Sequence, residues 1–262
     1  MNKFLSHIIS DGIDFRHSAD DCPDQNEFPP HIHNFYELFV FVEGDAGYTV
    51  ENKLYSLRSY DMLIIRPGQF HYLNLRSARP YRRMVIHFSE DNVMPVVVPL
   101  IQKGGYFRLG RDSEIVSLLY KLCDYGTARE KCDAKALLPN ILSEILIDTK
   151  YLSPDRSEAG VLGSAAAIAD YINSHICEPM TVDSIAKDLY LSRSYVSHVF
   201  SRDYHMGVMQ FVRRKKVIAA EKLIKNGTRA SEAAYACGFA DYATFYRSYC
   251  QILGRAPSSD KV

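Results

Sequence analysis

Apolar residues recur along this chain in two rhythms, and the change between them divides it. Between residues 31 and 90 the apolar runs are short: Tyr36–Val42, Gly47–Val50, Met62–Ile65 and Met84–Phe88. Turn-forming stretches separate them at Glu43–Gly47, Glu51–Lys53 and Arg66–Gly68. Short runs at such intervals predict an antiparallel sandwich or small barrel. Residues 1–30 are polar, carry Pro23, Pro29 and Pro30, and read as an arm or an edge segment. From residue 112 onward the period becomes helical. Asp112 is the expected N-cap of a helix reaching Tyr125, with Ile115, Leu118, Leu119 and Leu122 on one face and Gly126 as its stop. Ala134–Leu152 predicts a second helix, striped by Leu138, Ile141, Leu142, Ile145 and Leu146. Such stripes are core by default.

The stretch from Ser153 to Gly160 has no period and is polar and turn-rich, so it reads as a linker. The expected organisation is a β-rich domain with following helices over 1–152, a linker over 153–163 and an all-helical domain over 164–262. The helical third predicts Ala165–His175, Val182–Tyr190 capped by Thr181, Arg193–Arg202 capped by Ser192, and a longer helix Val208–Ile224. A short helix then reaches a turn at Cys237–Gly238–Phe239, and another helix starts at Asp241. The last pair repeats the earlier one, Ala186 matching Ala234 and Phe200 matching Tyr249.

On the final helix Phe245, Tyr249 and Ile252 share one face, and Ala243, Tyr246, Arg247 and Cys250 share the other. A helix with an apolar back and an Arg-bearing front, led in by a tight turn, suits the DNA major groove. Ala234, Gly238, Phe239, Phe245, Arg247, Gly254 and Pro257 fall in register with the second helix-turn-helix of the AraC/XylS family of transcription regulators, which this stretch resembles. The resemblance implies two reading heads held by a linker helix, with double-stranded DNA as partner. Base contacts are expected from Ser194, Ser197 and His198 in the first head and from Tyr242, Ala243, Tyr246 and Arg247 in the second. Phosphate contacts are expected from helix N-termini and from Arg193, Arg202 and Lys216. It also implies a cytoplasmic homodimer formed through the helices after the β domain, with RNA polymerase as a further partner and activation as the commoner outcome. Four positions depart from the family pattern: His205 replaces a Gly, Lys216 an Arg, and Ala230 and Ala233 bulkier aliphatics.

Charge sharpens the division. The chain has 31 basic and 31 acidic residues, but residues 164–262 hold 13 Lys and Arg against 9 Asp and Glu. The helical third therefore carries four net positive charges and the remainder four negative, which places nucleic-acid contact in that third. An apolar content of 47% with 24% charged residues is that of a globular protein, and no apolar run approaches the roughly 20 residues of a membrane span. The six cysteines make no C-x-x-C pair or zinc spacing and are expected as reduced thiols.

The remaining chemistry is a histidine cluster. His31-Ile32-His33 precedes Glu37 and Gly44, and a second piece runs from Asp61 through Pro67 and Gly68 to His71. Together these resemble the two cupin motifs, with Tyr60 standing in place of a Gly and Arg66 in place of a Pro. The resemblance implies a cupin-like β-barrel or jelly roll whose interior gathers His31, His33, Glu37 and His71. Phe39, Tyr48 and His87, with Phe41, are candidates to line the same interior. Three readings stay open: a small-molecule effector such as a sugar, with no cofactor required; a divalent metal on the four motif residues; or histidines satisfied by the backbone. A metal-dependent cupin enzyme, or a metal-sensing regulator, is the rival to an effector-responsive one.

Overall fold

Residues 3–127, 131–155, 160, 161, 163 and 165–260 are described by the computed structural model. They form two units. One contains residues 1–29, 35–50 and 54–159, and the other contains 160–262 with 30–34 and 51–53.

Of the two expectations for the start of the chain, the edge segment holds and the arm does not: β1 (Lys3–Ser10), at one edge of its sheet, and β2 (Ile13–Asp20) form a hairpin. Asp11 and Gly12 close it with φ of 48° and 79°. Positive φ at both positions is what a two-residue hairpin turn with the right twist requires, and Asp-Gly supplies it at low cost. The other strands are β3 (Tyr36–Glu43), β4 (Ala46–Val50), β5 (Lys53–Ser56), β6 (Asp61–Ile65), β7 (His71–Leu75), β8 (Tyr81–Phe88) and β9 (Gly105–Arg108). Six of them make one sheet in the order β1-β2-β8-β3-β6-β9, while β5, β4 and β7 lie in a second. The prolines that argued against strands come after β2, at positions 23, 29 and 30, so they do not interrupt the hairpin.

Both faces of the large sheet are covered. One row of β3, with Leu38 and Val40, packs in a cluster with Ile86, Phe88, Leu119, Leu122, Leu138, Leu142 and Ile145. The alternate row, with Phe39 and Phe41, packs with Tyr48, Leu63, Leu73, Tyr81 and Tyr106 from both sheets. This explains why β3 reads as a continuous apolar run rather than an alternating one. Each fully buried Leu or Ile side chain contributes ~1.5–3 kcal/mol. The helices supplying the first cluster are α1 (Val98–Ile101), α2 (Glu114–Thr127) and α3 (Lys131–Asp148).

Two expectations about α2 need correction. Ser113, not Asp112, stands at its start, its Oγ accepting the Val116 N–H at 3.3 Å. Gly126 lies inside the helix, one residue before its end, and a Cβ there would sit 1.9 Å from Ser6 Oγ. Glycine at 126 lets α2 and β1 approach closely.

The second unit is helical: α4 (Ala166–Ser174), α5 (Val182–Asp188), α6 (Arg193–Tyr204), α7 (Val208–Lys225), α8 (Ala230–Ala236) and α9 (Tyr242–Leu253). Thr181, Ser192 and Asp241 cap α5, α6 and α9 through their side-chain oxygens, as their sequence positions predict. Pro257–Asp260 closes the unit as a 3-10 turn, where the Tyr249 hydroxyl and Arg255 both donate to Asp260.

Candidate nucleic-acid interface and effector site

The two helix pairs repeat down to single hydrogen bonds. In the first turn the Tyr190 N–H donates to Lys187 O and the Leu191 N–H to Ala186 O. In the second, the Gly238 N–H donates to Tyr235 O and the Phe239 N–H to Ala234 O, the same bonds 48 residues later. Both turns need a left-handed residue, Tyr190 at φ 56° and Gly238 at φ 70°. Four residues, Leu189–Ser192, link α5 to α6, and five, Cys237–Asp241, link α8 to α9.

Each second helix buries one face and exposes the other. On α6, Val196, Val199 and Phe200 are buried, while Arg193, Ser194, His198 and Arg202 are exposed and Ser197 is half-buried. Tyr195, which the sequence pattern did not single out, is exposed on the same helix. On α9, Phe245, Ser248 and Tyr249 are buried and Tyr242, Ala243, Tyr246 and Arg247 are exposed. The Arg247 guanidinium donates to Thr244 Oγ1 at 3.3 Å, one turn back on its own helix.

Arg193 pairs with Asp183 and Arg202 with Asp203, each at 2.6 Å. Exposed pairs of this kind contribute less than ~1 kcal/mol, so a phosphate can displace either carboxylate. Asp241 differs. The Thr244 N–H, then the Thr244 hydroxyl, hold its carboxyl below the usual range, which fixes a negative charge at the start of α9. Phosphates are accordingly disfavoured at that helix terminus.

Lys216 does not belong with the phosphate contacts. It is 5% exposed, and its Nζ donates to Glu178 O at 2.6 Å and to Gly238 O at 2.8 Å. The four consecutive basic residues Arg213–Lys216 have different surroundings: Arg213 is exposed, Lys215 is bound to Glu51 at 2.6 Å and Lys216 is buried.

In the β unit, Glu37 is the polar centre. It lies on β3 opposite His87 on β8. Its Oε1 accepts the Tyr48 hydroxyl at 2.9 Å, its Oε2 lies 3.0 Å from His87 Nε2, and His71 Nε2 is 3.8 Å away. Burial, then the charge of Glu37, pushes the Tyr48 hydroxyl well above its ordinary range, so it stays a donor. Phe39 and Tyr48 pack ring to ring at 4.4 Å, and Tyr48 stacks with His71 at 6.2 Å.

His31 and His33 do not alternate on a strand. His31 makes an isolated bridge, and β3 begins only at Tyr36. Even so, ligand atoms of His31, His33, Glu37 and His71 lie within 4.8 Å of one another. Three imidazoles and a carboxylate are a donor set for a divalent metal, but ligands closed around an ion at ~2.1 Å stand only about 3.4 Å apart. Both Glu37 oxygens also have protein partners. The donor set fits a divalent ion once these ligands draw inward.

Comparison with known proteins follows this division of the chain. Residues 18–137 match the AraC-like ligand binding domain and residues 185–261 the helix-turn-helix domain. The chain belongs to the AraC family of transcription regulators. It is similar to the Msm operon regulatory protein of Streptococcus mutans, at 19% identity over 98% of this chain and 94% of that one. It is also similar to the arabinose operon regulatory protein of Salmonella typhimurium, at 21% identity over 85% and 82% respectively. Among solved structures, ToxT from Vibrio cholerae aligns over 95% of this chain and 96% of its own with 14% identity and a TM-score of 0.38. The Streptococcus and Salmonella relatives are named as regulatory proteins, and the AraC-family member described here is a DNA-binding transcription regulator with a ligand-binding domain rather than an enzyme. No described helix is long and apolar enough to cross a membrane.

Two side chains of this AraC-family protein escaped the sequence reading. Tyr81 is 1% exposed among the aromatics between the sheets, and Arg83 shares its row of β8. The alternation Tyr81, Arg83, Val85, His87 carries the signal, since alternate residues of a strand face one side.

Proposed function

We propose that this protein is a cytoplasmic transcription activator that binds a small hydroxylated effector, a sugar or sugar derivative, between its two sheets. It reads a specific DNA site with α6 and α9. The observation that carries the effector reading is Glu37, a buried carboxylate meeting Tyr48, His71 and His87 beside the Phe39 ring. Carboxylate and imidazole acceptors next to an aromatic face suit hydroxyl groups on a compact carbon skeleton. The description of one relative as an arabinose operon regulator supports the same class.

On the DNA side, α7 has 18 residues and so a length of ~27 Å, which suits the placing of two helices in successive major grooves. Ser194, Ser197, His198, Tyr242, Ala243, Tyr246 and Arg247 then meet base edges, and Arg193 and Arg202 meet phosphates. The protein acts as a homodimer on paired sites and contacts RNA polymerase. Effector binding changes transcription by coupling the occupied site to the placement of the reading helices.

Arg247→Ala tests the reading. It is expected to weaken specific binding by ~1–3 kcal/mol in fluorescence anisotropy while random DNA is bound nearly as before. An equal loss on random DNA would place Arg247 on a phosphate and remove it from base recognition.

A second reading, a metal-responsive regulator, draws on the 4.8 Å grouping of His31, His33, Glu37 and His71. Stoichiometric zinc, iron or manganese in the purified protein, lost on Glu37→Ala, would favour it over the sugar reading.

A further inference from the structure

Arg83 pairs with no carboxylate among the described residues, and the Tyr81 hydroxyl interacts with its guanidinium. Its Nη1 is buried without a hydrogen-bond partner. The guanidinium is instead held between two aromatic rings, 4.9 Å from the Phe28 centroid and 5.1 Å from that of Tyr81. The Tyr81 hydroxyl is likewise buried, and beyond that guanidinium it has no hydrogen-bond partner among the described residues. A half-buried guanidinium lacking a carboxylate, beside a buried hydroxyl whose hydrogen has no acceptor among the described residues, is an incomplete arrangement.

We propose that Arg83 and Tyr81 form an anion subsite that takes the carboxylate or phosphate end of a polyhydroxylated effector. The proposal rests on the effector reading above and deepens it from a sugar to a sugar acid or sugar phosphate. The planar guanidinium offers two parallel N–H donors to either anion, and the Tyr81 hydroxyl adds a third bond. Tyr81 enters the complex as a neutral donor, since burial holds its hydroxyl above the ordinary phenol range.

The far end of the ligand meets Glu37 and His87. Arg83 and His87 lie four residues apart on one row of β8, about 13 Å of strand. With both side chains reaching inward, this spacing matches a chain of about six carbons with an anionic end. Glu37 would repel the anion at its own end of the row, which fixes the direction in which the ligand lies.

The test measures melting temperature and calorimetric affinity of the full chain with paired probes: galacturonate against galactose, gluconate against sorbitol, and glucose 6-phosphate against glucose. At least one anion is expected to stabilise the protein where its neutral counterpart does not, and whether the carboxylates or the phosphate respond identifies the head group. Arg83→Met is expected to weaken that anion at least tenfold, and Tyr81→Phe serves as a second variant should the first fail to fold. Arg82→Met is the control, since Arg82 faces the other way and pairs with Glu43 at 3.4 Å. Neutral sugars binding as well as acids, with Arg83→Met indifferent to both, would overturn the anion subsite and leave the effector reading standing. Stabilisation by no probe, charged or neutral, would count against both.

Discussion

Lys216 on α7 and Gly238 in the second turn are joined directly: the lysine Nζ donates to the glycine carbonyl at 2.8 Å. The same Nζ donates to Glu178 O, so one buried ammonium ties the linker helix to the turn before α9 and to the segment after α4. Burial lowers the Lys216 amine below the ordinary lysine range, opposed in part by the neighbouring Cys237 and Cys177 thiols. A Cβ on residue 238 would lie 2.6 Å from Nζ, 2.7 Å from Cys177 O and 2.8 Å from the Glu178 carbonyl carbon.

Gly238→Ala is therefore expected to destabilise the protein by more than about 2 kcal/mol, combining the left-handed penalty with backbone clashes that no rotamer relieves. Chemical denaturation measures it. A cost under ~1 kcal/mol would show that the turn can shift, and would weaken the account of how α9 is positioned.

The first turn predicts the opposite sign. Tyr190 holds the equivalent left-handed position with its side chain 96% exposed, so its ring contributes little packing to offset the strain. Tyr190→Gly is expected to raise stability by up to ~1 kcal/mol in the same measurement. A loss of stability would indicate that the ring makes a contact worth more than the strain.

Gly126→Ala brings a Cβ against Ser6 Oγ, and overpacking of this kind costs ~1–3 kcal/mol. Removing the obstruction tests the cause. The double variant Ser6→Gly with Gly126→Ala is expected to recover most of the midpoint lost by Gly126→Ala alone, beyond what Ser6→Gly does by itself.

His17 gives a pH dependence with a definite sign. Burial, then the charge of Arg82, lowers its pKa below 6.5, and its Nδ1 lies 3.3 Å from Cys123 Sγ. The unfolded chain takes up the proton first as pH falls through 6.5, so His17 removes stability on acidification until the folded imidazole also protonates. The wild-type urea midpoint is expected to fall relative to that of His17→Gln as pH drops through 6.5, as the variant lacks this loss. Parallel pH profiles would show that His17 does not titrate differently on folding.

Much of this organisation was legible because periodicity and caps are local. Thr181, Ser192 and Asp241 announce their helices, and the Ala186–Ala234 register announces the repeat. Tyr60 and His205, the two positions where a non-glycine stands in place of a family Gly, have φ of 71° and 51°, so the departures mark real left-handed sites. The strand pair at the N-terminus was also within reach, since Asp11-Gly12 is a strong hairpin signal that the polar composition of residues 1–30 obscured. What a linear pattern could not show was the fate of charged groups. Lys216 reads as part of a basic run and is buried on carbonyls far away in sequence. Arg83 reads as a surface residue until β8 is paired between β2 and β3, which turns its row inward.

The central claim, that α6 and α9 read two successive stretches of one DNA site, is tested most directly by selecting bound sequences from random DNA. Enrichment of two conserved blocks with centres about 10–10.5 base pairs apart is expected, with Arg247→Ala relaxing preference in one block only. A single enriched block, or none above random background, would contradict it.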